Sequence, residues 1–223
     1  ANGLSGNNSN TIENAGTITA SSTGDQSGAQ GLVAGNQNII ENSGRIIAGA
    51  NGDLSFAFGI ATQDEYMIGD PGNIITNSGA ISVRADGEAA NVFGIRNYVG
   101  NAVNNSGVID AQATGSDSRV TGIYTMYDDV IPEDKFVNSG IVRARASGSN
   151  AKSVAVAIPY MAPIFNSGLL ESIAAGDAAE AIGLHVLGVV SNITNSGIIR
   201  SSAAGEGARA NGVYLGPVSY THL

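Results

Sequence analysis

The sequence predicts an all-β chain wound into a right-handed parallel β-helix, about seven coils of roughly 28 residues with three short strands each. Three observations lead there. A phrase of the form apolar-x-Asn-Ser-Gly-x-apolar occurs seven times, with its Asn at Asn14, Asn42, Asn77, Asn105, Asn138, Asn166 and Asn195, and with Ala15-Gly16 in place of Ser-Gly in the first copy. Columns of glycine accompany it at fixed offsets. Within a unit, apolar residues alternate with polar ones, the period of a strand and not of a helix.

The repeat is deepest when each Asn is taken as position zero. Position −2 is apolar throughout (Ile12, Ile40, Ile75, Val103, Phe136, Ile164, Ile193), and so is +4 (Ile18, Ile46, Ile81, Ile109, Val142, Leu170, Ile199). Position +10 is glycine in every copy, from Gly24 to Gly205, and +17 is glycine in all but the fifth, where Ala155 stands. Ile75, Asn77, Gly79, Ile81, Val83 and Ala85 then share one face, with Thr76, Ser78, Ala80, Ser82 and Arg84 on the other. Asn-Ser-Gly is expected to break this run at a tight corner, since Asn and Gly tolerate left-handed backbone. Gly at +10 ends the second strand, and a third covers about +14 to +20, for example Asn91 to Asn97. Glycine every few residues and β-branched positions exclude a long amphipathic helix.

Three short strands cannot bury their inward faces alone, but coils stacked about 4.8 Å apart can, giving a rod of about 34 Å. Stacking turns each position into a ladder. Position +5 ends Asp110, Arg143, Glu171, Arg200, and +14 ends Lys152, Glu180, Arg209; both alternate in sign, as in-register parallel pairing requires. Position +3 carries an apolar stripe over the last four coils (Val108, Ile141, Leu169, Ile198), expected to be partly buried at the corner. The extra residues of the long copies fall between +20 and the next unit, around Gln63 to Gly72 and Tyr127 to Asp134. Residues 1–217 therefore read as one solenoid domain.

The composition narrows the function classes. A formal charge of −9 argues against nucleic acid, which is bound by neutralising phosphates. No apolar run approaches the length of a membrane helix, so this segment is not expected to insert in a bilayer. Without cysteine there is no disulfide, zinc-thiolate or cysteine-nucleophile chemistry. No Gly-x-Ser-x-Gly elbow or phosphate loop occurs, and His185, at +19 beside Tyr124 and Tyr214 in the repeat, reads as a wall residue. No catalytic residue, cofactor or metal is expected.

The apolar-x-Asn-Ser-Gly-x-Ile-x-Ala phrase, with Gly-Ile about seventeen residues later, resembles the passenger regions of bacterial autotransporters, the type V secreted surface proteins, over residues 11–217. The resemblance implies a Gram-negative outer surface, a signal peptide upstream and a membrane-embedded β-barrel translocator downstream. It also implies a non-catalytic stalk or adhesin segment, a rigid scaffold presenting corner loops to a host or bacterial surface glycan or protein. Residues 218–223, Val218-Ser219-Tyr220-Thr221-His222-Leu223, break the repeat and look like a translated sequencing adapter, a non-native tail.

The insertion edge is the expected binding surface. Tyr66, Tyr98, Tyr127 and Tyr160 fall between +21 and +24 in consecutive coils, with Asp64, Asp70, Asp128 and Asp129 around them and Tyr124 just before. Tyrosines among carboxylates can stack on sugar rings or engage a protein. Two alternatives stand beside this. A carbohydrate-active β-helix enzyme, a hydrolase or lyase, would draw on Glu13 and Glu41 at −1, or on Asp128 and Asp129, and a lyase would also want a basic residue against its substrate, for which Lys135 and Arg96 are near. A calcium-dependent adhesive rod would draw on the acidic +11 positions Asp25, Asp53, Glu88, Asp177 and Glu206.

Overall fold

The chain is a right-handed parallel β-helix of about seven coils, seen in a computed structural model that describes residues 1–62, 72–97, 100–125, 135–158, 163–187 and 192–216. Each coil contributes one strand to each of three sheets. Sheet I holds the strands that end at the repeated Asn, from Thr11–Asn14 to Ile193–Asn195; sheet II begins just after, from Thr17–Thr23 to Ile198–Ala204. Sheet III holds the third strands, from Gly28–Ala34 to Arg209–Leu215, and adds Asn2–Gly6 ahead of the first full repeat. Sheets I and II have seven strands and sheet III eight, each strand pairing parallel with the one a coil away.

Register is set by burial. Ile75, Asn77, Ile81, Val83 and Ala85 point inward and are buried, while Ser78, Ser82 and Arg84 are exposed. The −2 and +4 columns form the wall-to-wall core, with Ile40, Ile75, Val103, Phe136 and Ile164 fully buried in sheet I and Ile46, Ile109, Val142 and Leu170 in sheet II. A one-residue slip would turn every inward Ile to solvent, so the alternation fixes the pairing. The third strand of the third coil runs Asn91–Asn97. At the ends of the sheet III strands the interior turns polar in coils two to four, at Thr62, Asn97 and Thr125, all buried. Thr62 Oγ1 donates to Asn97 Oδ1 at 3.0 Å.

The Asn-Ser-Gly corner differs from the sequence expectation. None of these residues has a positive φ; the left-handed backbone lies at the other corner, at Gly of +10 and at the residue two beyond it, such as Leu54 (φ 57°) after Gly52 (φ 129°). The Asn side chain, not a left-handed backbone, makes the turn. Asn77 Nδ2 donates to Asn105 Oδ1 at 2.8 Å, while the Asn77 carbonyl accepts the N–H groups of both Ser106 (2.8 Å) and Gly107 (3.0 Å) in the next coil. Gly107 is required because a Cβ there would stand 2.1 Å from the Gly79 carbonyl oxygen of the preceding coil. Close stacking of backbones, and not φ, selects this glycine.

The +5 charge ladder forms with one exchange of partners, and the +14 ladder forms at its Lys152–Glu180 rung. Glu171, only 6% exposed, accepts from Arg143 Nε (2.9 Å) and from Arg200 Nε (2.7 Å), the coils before and after it. Asp110, one coil below Arg143, is instead bound by Arg145 at 2.6 Å. The longer diagonal reach frees Arg143 for the buried Glu171. Lys152 and Glu180 pair at 2.7 Å. Along the +3 stripe Val108, Ile141 and Leu169 are half-buried, and Ile198, in the last described coil, is 58% exposed.

Candidate binding face

The residues singled out from the sequence divide sharply. Asp64, Tyr66, Asp70, Tyr98, Tyr127, Asp128, Asp129 and Tyr160 lie outside the described residues, as does the 218–223 tail. Tyr124 is described. It points outward from the sheet III strand Arg119–Thr125, half-buried, and it opens onto a feature that sequence reasoning passed over.

Each sheet III strand is bent in its middle. Positions +15, +17, +18 and +20 turn inward, and +14, +16 and +19 face out. The paired inward residues place a Gly at +17 against the next coil: a Cβ at Gly94 would meet Ile109 Cγ2 at 2.3 Å and the Gly122 carbonyl oxygen at 2.4 Å. The backbone groups of the strand are spent on its parallel neighbours, so only side chains can act on the outer face.

In coils two to four those side chains are aromatic. Phe56 lies 5.2 Å from Phe58 between centroids, Phe58 lies 5.5 Å from Phe93 at 76°, and Phe93 lies 5.9 Å from Tyr124 at 74°. Four rings thus run in contact across three coils, the first pair tilted and the next two edge-on, within the range where aromatic pairs attract. Arg96 sits over two of them, its guanidinium carbon 5.1 Å from the Phe58 centroid and 5.6 Å from that of Phe93. Burial among the rings lowers the Arg96 pKa, opposed in part by Tyr124. Phe58 itself is 6% exposed, whereas Phe56, Phe93 and Tyr124 are half-buried. Arg119 stands exposed at +14, in register with Asn91 on one side and Lys152 on the other.

Farther along, the face becomes aliphatic, with Val154, Ala157 and Ile182 clustered beside Tyr124. His185 follows in register with Ala157 and Tyr214, its ring 5.0 Å from that of Tyr214 in an edge-on pair. Its Nε2 is buried without a hydrogen-bond partner. Burial lowers the His185 pKa, and the Lys152 charge adds to this against the pull of Glu180. His185 is a wall residue here, with no serine or carboxylate among the described residues hydrogen-bonded to it.

The other sequence candidates have different surroundings. Glu13 and Glu41 are register partners on the outside of sheet I and edge a shallow cleft with Ser43, Thr76 and Ser78; none of the residues lining it is basic. At the acidic +11 corner, carboxylates bind the next coil: Asp25 Oδ1 accepts from Asp53 N (3.2 Å), Asp53 Oδ1 from Glu88 N (2.9 Å) and Asp177 Oδ1 from Glu206 N (3.1 Å). These acids hold the stacked corner together, which accounts for their recurrence without an ion. Among the described residues no group of three or more His, Asp or Glu converges on a point that could hold a metal.

A search by sequence offered one signal for this face, namely Phe56, Phe58, Phe93, Arg96 and Tyr124 at +14, +16 and +19 in three successive copies. It was missed because +16 and +19 have opposite parity, and strict alternation puts one of them indoors. The bend at the +17 glycine brings both out. No known protein family, curated protein or solved structure matches the chain.

Proposed function

We propose that the chain is a non-catalytic, surface-exposed stalk or adhesin segment of a Gram-negative autotransporter passenger, anchored outside the cell through a downstream β-barrel translocator. In this reading the rod carries load and spacing, and its corner loops, together with the aromatic face beside them, engage a glycan or protein on a host or bacterial surface.

One observation supports it above others. The Asn ladder runs from Asn14 to Asn195 with every rung at 2.7–2.8 Å, whether the coil separating two rungs is 28 residues long or 35. Insertions are absorbed at one corner and leave the rod undisturbed. That is the design of a scaffold that varies what it presents without varying what holds it up.

The test is to display the chain on a non-adherent Gram-negative cell by fusing it to a β-barrel translocator, and to measure attachment to epithelial cells. Replacing Tyr98 and Tyr127 with Ala is expected to abolish attachment, with the circular-dichroism melting curve of the purified chain unchanged. Attachment that persists in the double variant overturns the reading.

A further inference from the structure

One inward column changes character along the rod. Position +20, the last of each sheet III strand, reads Ala34, Thr62, Asn97, Thr125, Ile158 and Val186 in successive coils, and every one of these is buried. The polar rungs Thr62, Asn97 and Thr125 sit together, closed off by Ala34 on one side and Ile158 on the other. They fall in the block bounded by the two long coils, where neighbouring ladder asparagines stand 35 and 33 residues apart. Thr62 Oγ1 donates to Asn97 Oδ1 at 3.0 Å. That bond fixes the sense of the Asn97 amide. Its oxygen serves the coil before and leaves Nδ2 for the coil after, the polarity that Asn77 and Asn105 have in the main ladder. The residue in register there is Thr125. Asn97 Nδ2 and Thr125 Oγ1 are both buried, and neither has a hydrogen-bond partner among the described residues.

We propose that a water molecule is bound inside the rod at this rung, accepting from Asn97 Nδ2 and held by the Thr125 hydroxyl. The spacing argues for it. Parallel strands stand about 4.8 Å apart. Two amides bridge that distance directly, as Asn77 and Asn105 do at 2.8 Å. A threonine hydroxyl ends one bond nearer its own backbone, so the Asn97–Thr125 pair is left with a gap that one molecule fills with two bonds of about 2.8 Å. The chemistry argues for water over an ion. An amide N–H₂ repels a cation, and a buried anion needs a charge to pair with, which Thr62, Thr125 and their apolar neighbours Ala34 and Ile158 do not carry. Water accepts from the amide and either donates to or accepts from the hydroxyl, so both buried groups are met at once. At the start of a sheet I strand, Asn73 Nδ2 is also buried without a partner among the described residues, so both walls of this corner are polar. The water serves as a rung, carrying the column from Thr62 through Asn97 to Thr125 between the two insertions. It holds whether or not the rod is an adhesin.

The experiment is magnetic relaxation dispersion of the water signal with the purified chain, which counts long-lived internal waters, together with urea unfolding. Thr125→Val keeps the shape and removes the hydroxyl. It is expected to lose one long-lived water relative to the parent and to lower the urea midpoint. A hydroxyl buried without water would give the opposite sign, since its removal would relieve an unmet polar group. A midpoint that rises or stays unchanged therefore overturns the proposal. Thr125→Asn supplies an amide long enough to meet Asn97 directly, as in the main ladder. It is expected to lose the same water while the midpoint holds or rises, and it keeps the test open should Thr125→Val fail to fold. A water count unchanged from the parent in either folded variant overturns the proposal. Magnetisation transfer from water to the Asn97 side-chain amide is expected in the parent; its absence there would mean that the hydroxyl meets the amide without a bridge, and also overturns it.

Discussion

Asn105 donates its amide Nδ2 to Asn138 Oδ1 at 2.8 Å across 33 residues of chain, and accepts from Asn77 Nδ2 at 2.8 Å across 28. The rung is the same although the intervening loops differ in length. Asn105 is 2% exposed, so neither bond has water as a substitute. Ladders of stacked amides also polarise one another along the column.

Asn105→Ala is therefore expected to cost about 2–4 kcal/mol, because it strands a donor on Asn77 and an acceptor on Asn138, each at about 1–3 kcal/mol. Asn195→Ala, at the exposed end of the ladder, is expected to cost less than 1 kcal/mol. Urea unfolding of the two variants measures the difference; equal losses would show that the ladder contributes no more in the middle than at its end.

The glycine columns allow a sharper contrast. Gly52 has φ 129°, and a Cβ on it would lie 2.3 Å from the Gly24 carbonyl oxygen. Gly49, three residues earlier in the strand Arg45–Asn51, has open space where its Cβ would be. Gly52→Ala is expected to destabilise by more than about 2 kcal/mol through strain and backbone collision. Gly49→Ala is expected to stabilise by about 0.5 kcal/mol, since it removes only unfolded-state freedom. Thermal melts of the pair check the sign of each.

How much of this was readable depends on what a position reports. The −2, +4 and +10 columns report burial and stacking, which act alike in every coil, so repetition displayed them. Asn2–Gly6 pairs with Gly28–Ala34, with Leu4 opposite Leu32, yet it was passed over because no Asn-Ser-Gly precedes it to mark a coil. The role of Gly107 was misread as conformational, because a single coil cannot show that its neighbour's carbonyl occupies the space. Arg145 took Asp110 from Arg143 because side-chain reach, not strand register, chooses among nearby charges. The aromatic face was hidden by a bend that breaks the two-residue period, and eight of the nine binding candidates from the insertion edge fall outside the described residues.

Glu171 joins three coils. It is 6% exposed, holds Arg143 and Arg200 by hydrogen bonds, and lies 3.9 Å from Arg145 Nη2. Its arginine partners are more exposed than it is, so removing the carboxylate leaves cations that water can still reach. Glu171→Ala is expected to cost about 2 kcal/mol, below the range for a fully buried pair. Glu171→Leu is expected to recover part of that by packing. A loss no larger than that of an exposed pair such as Arg84–Asp86 would show that the network is no more than a surface feature.

His185 is expected to make the rod sensitive to mild acid. Its folded pKa is lowered, by burial first and by Lys152 second, from an ordinary value of 6.5. Above 6.5 both folded and unfolded chains hold it neutral and it has no effect on stability. As pH falls below 6.5 the unfolded chain takes up a proton that the folded chain resists, so stability declines until the folded pKa is passed and the difference levels off. Asp86 has the complementary behaviour at lower pH. The Arg84 hydrogen bond lowers its pKa below 3.8, so its contribution persists above that value and is lost only as pH falls through the folded pKa. Melting temperature followed from pH 7.5 to 5 is expected to fall in the parent. His185→Phe, which keeps a ring against Tyr214, is expected to flatten that decline while leaving the steeper loss in stronger acid intact. A variant that tracks the parent across the mild range would place the sensitive group elsewhere.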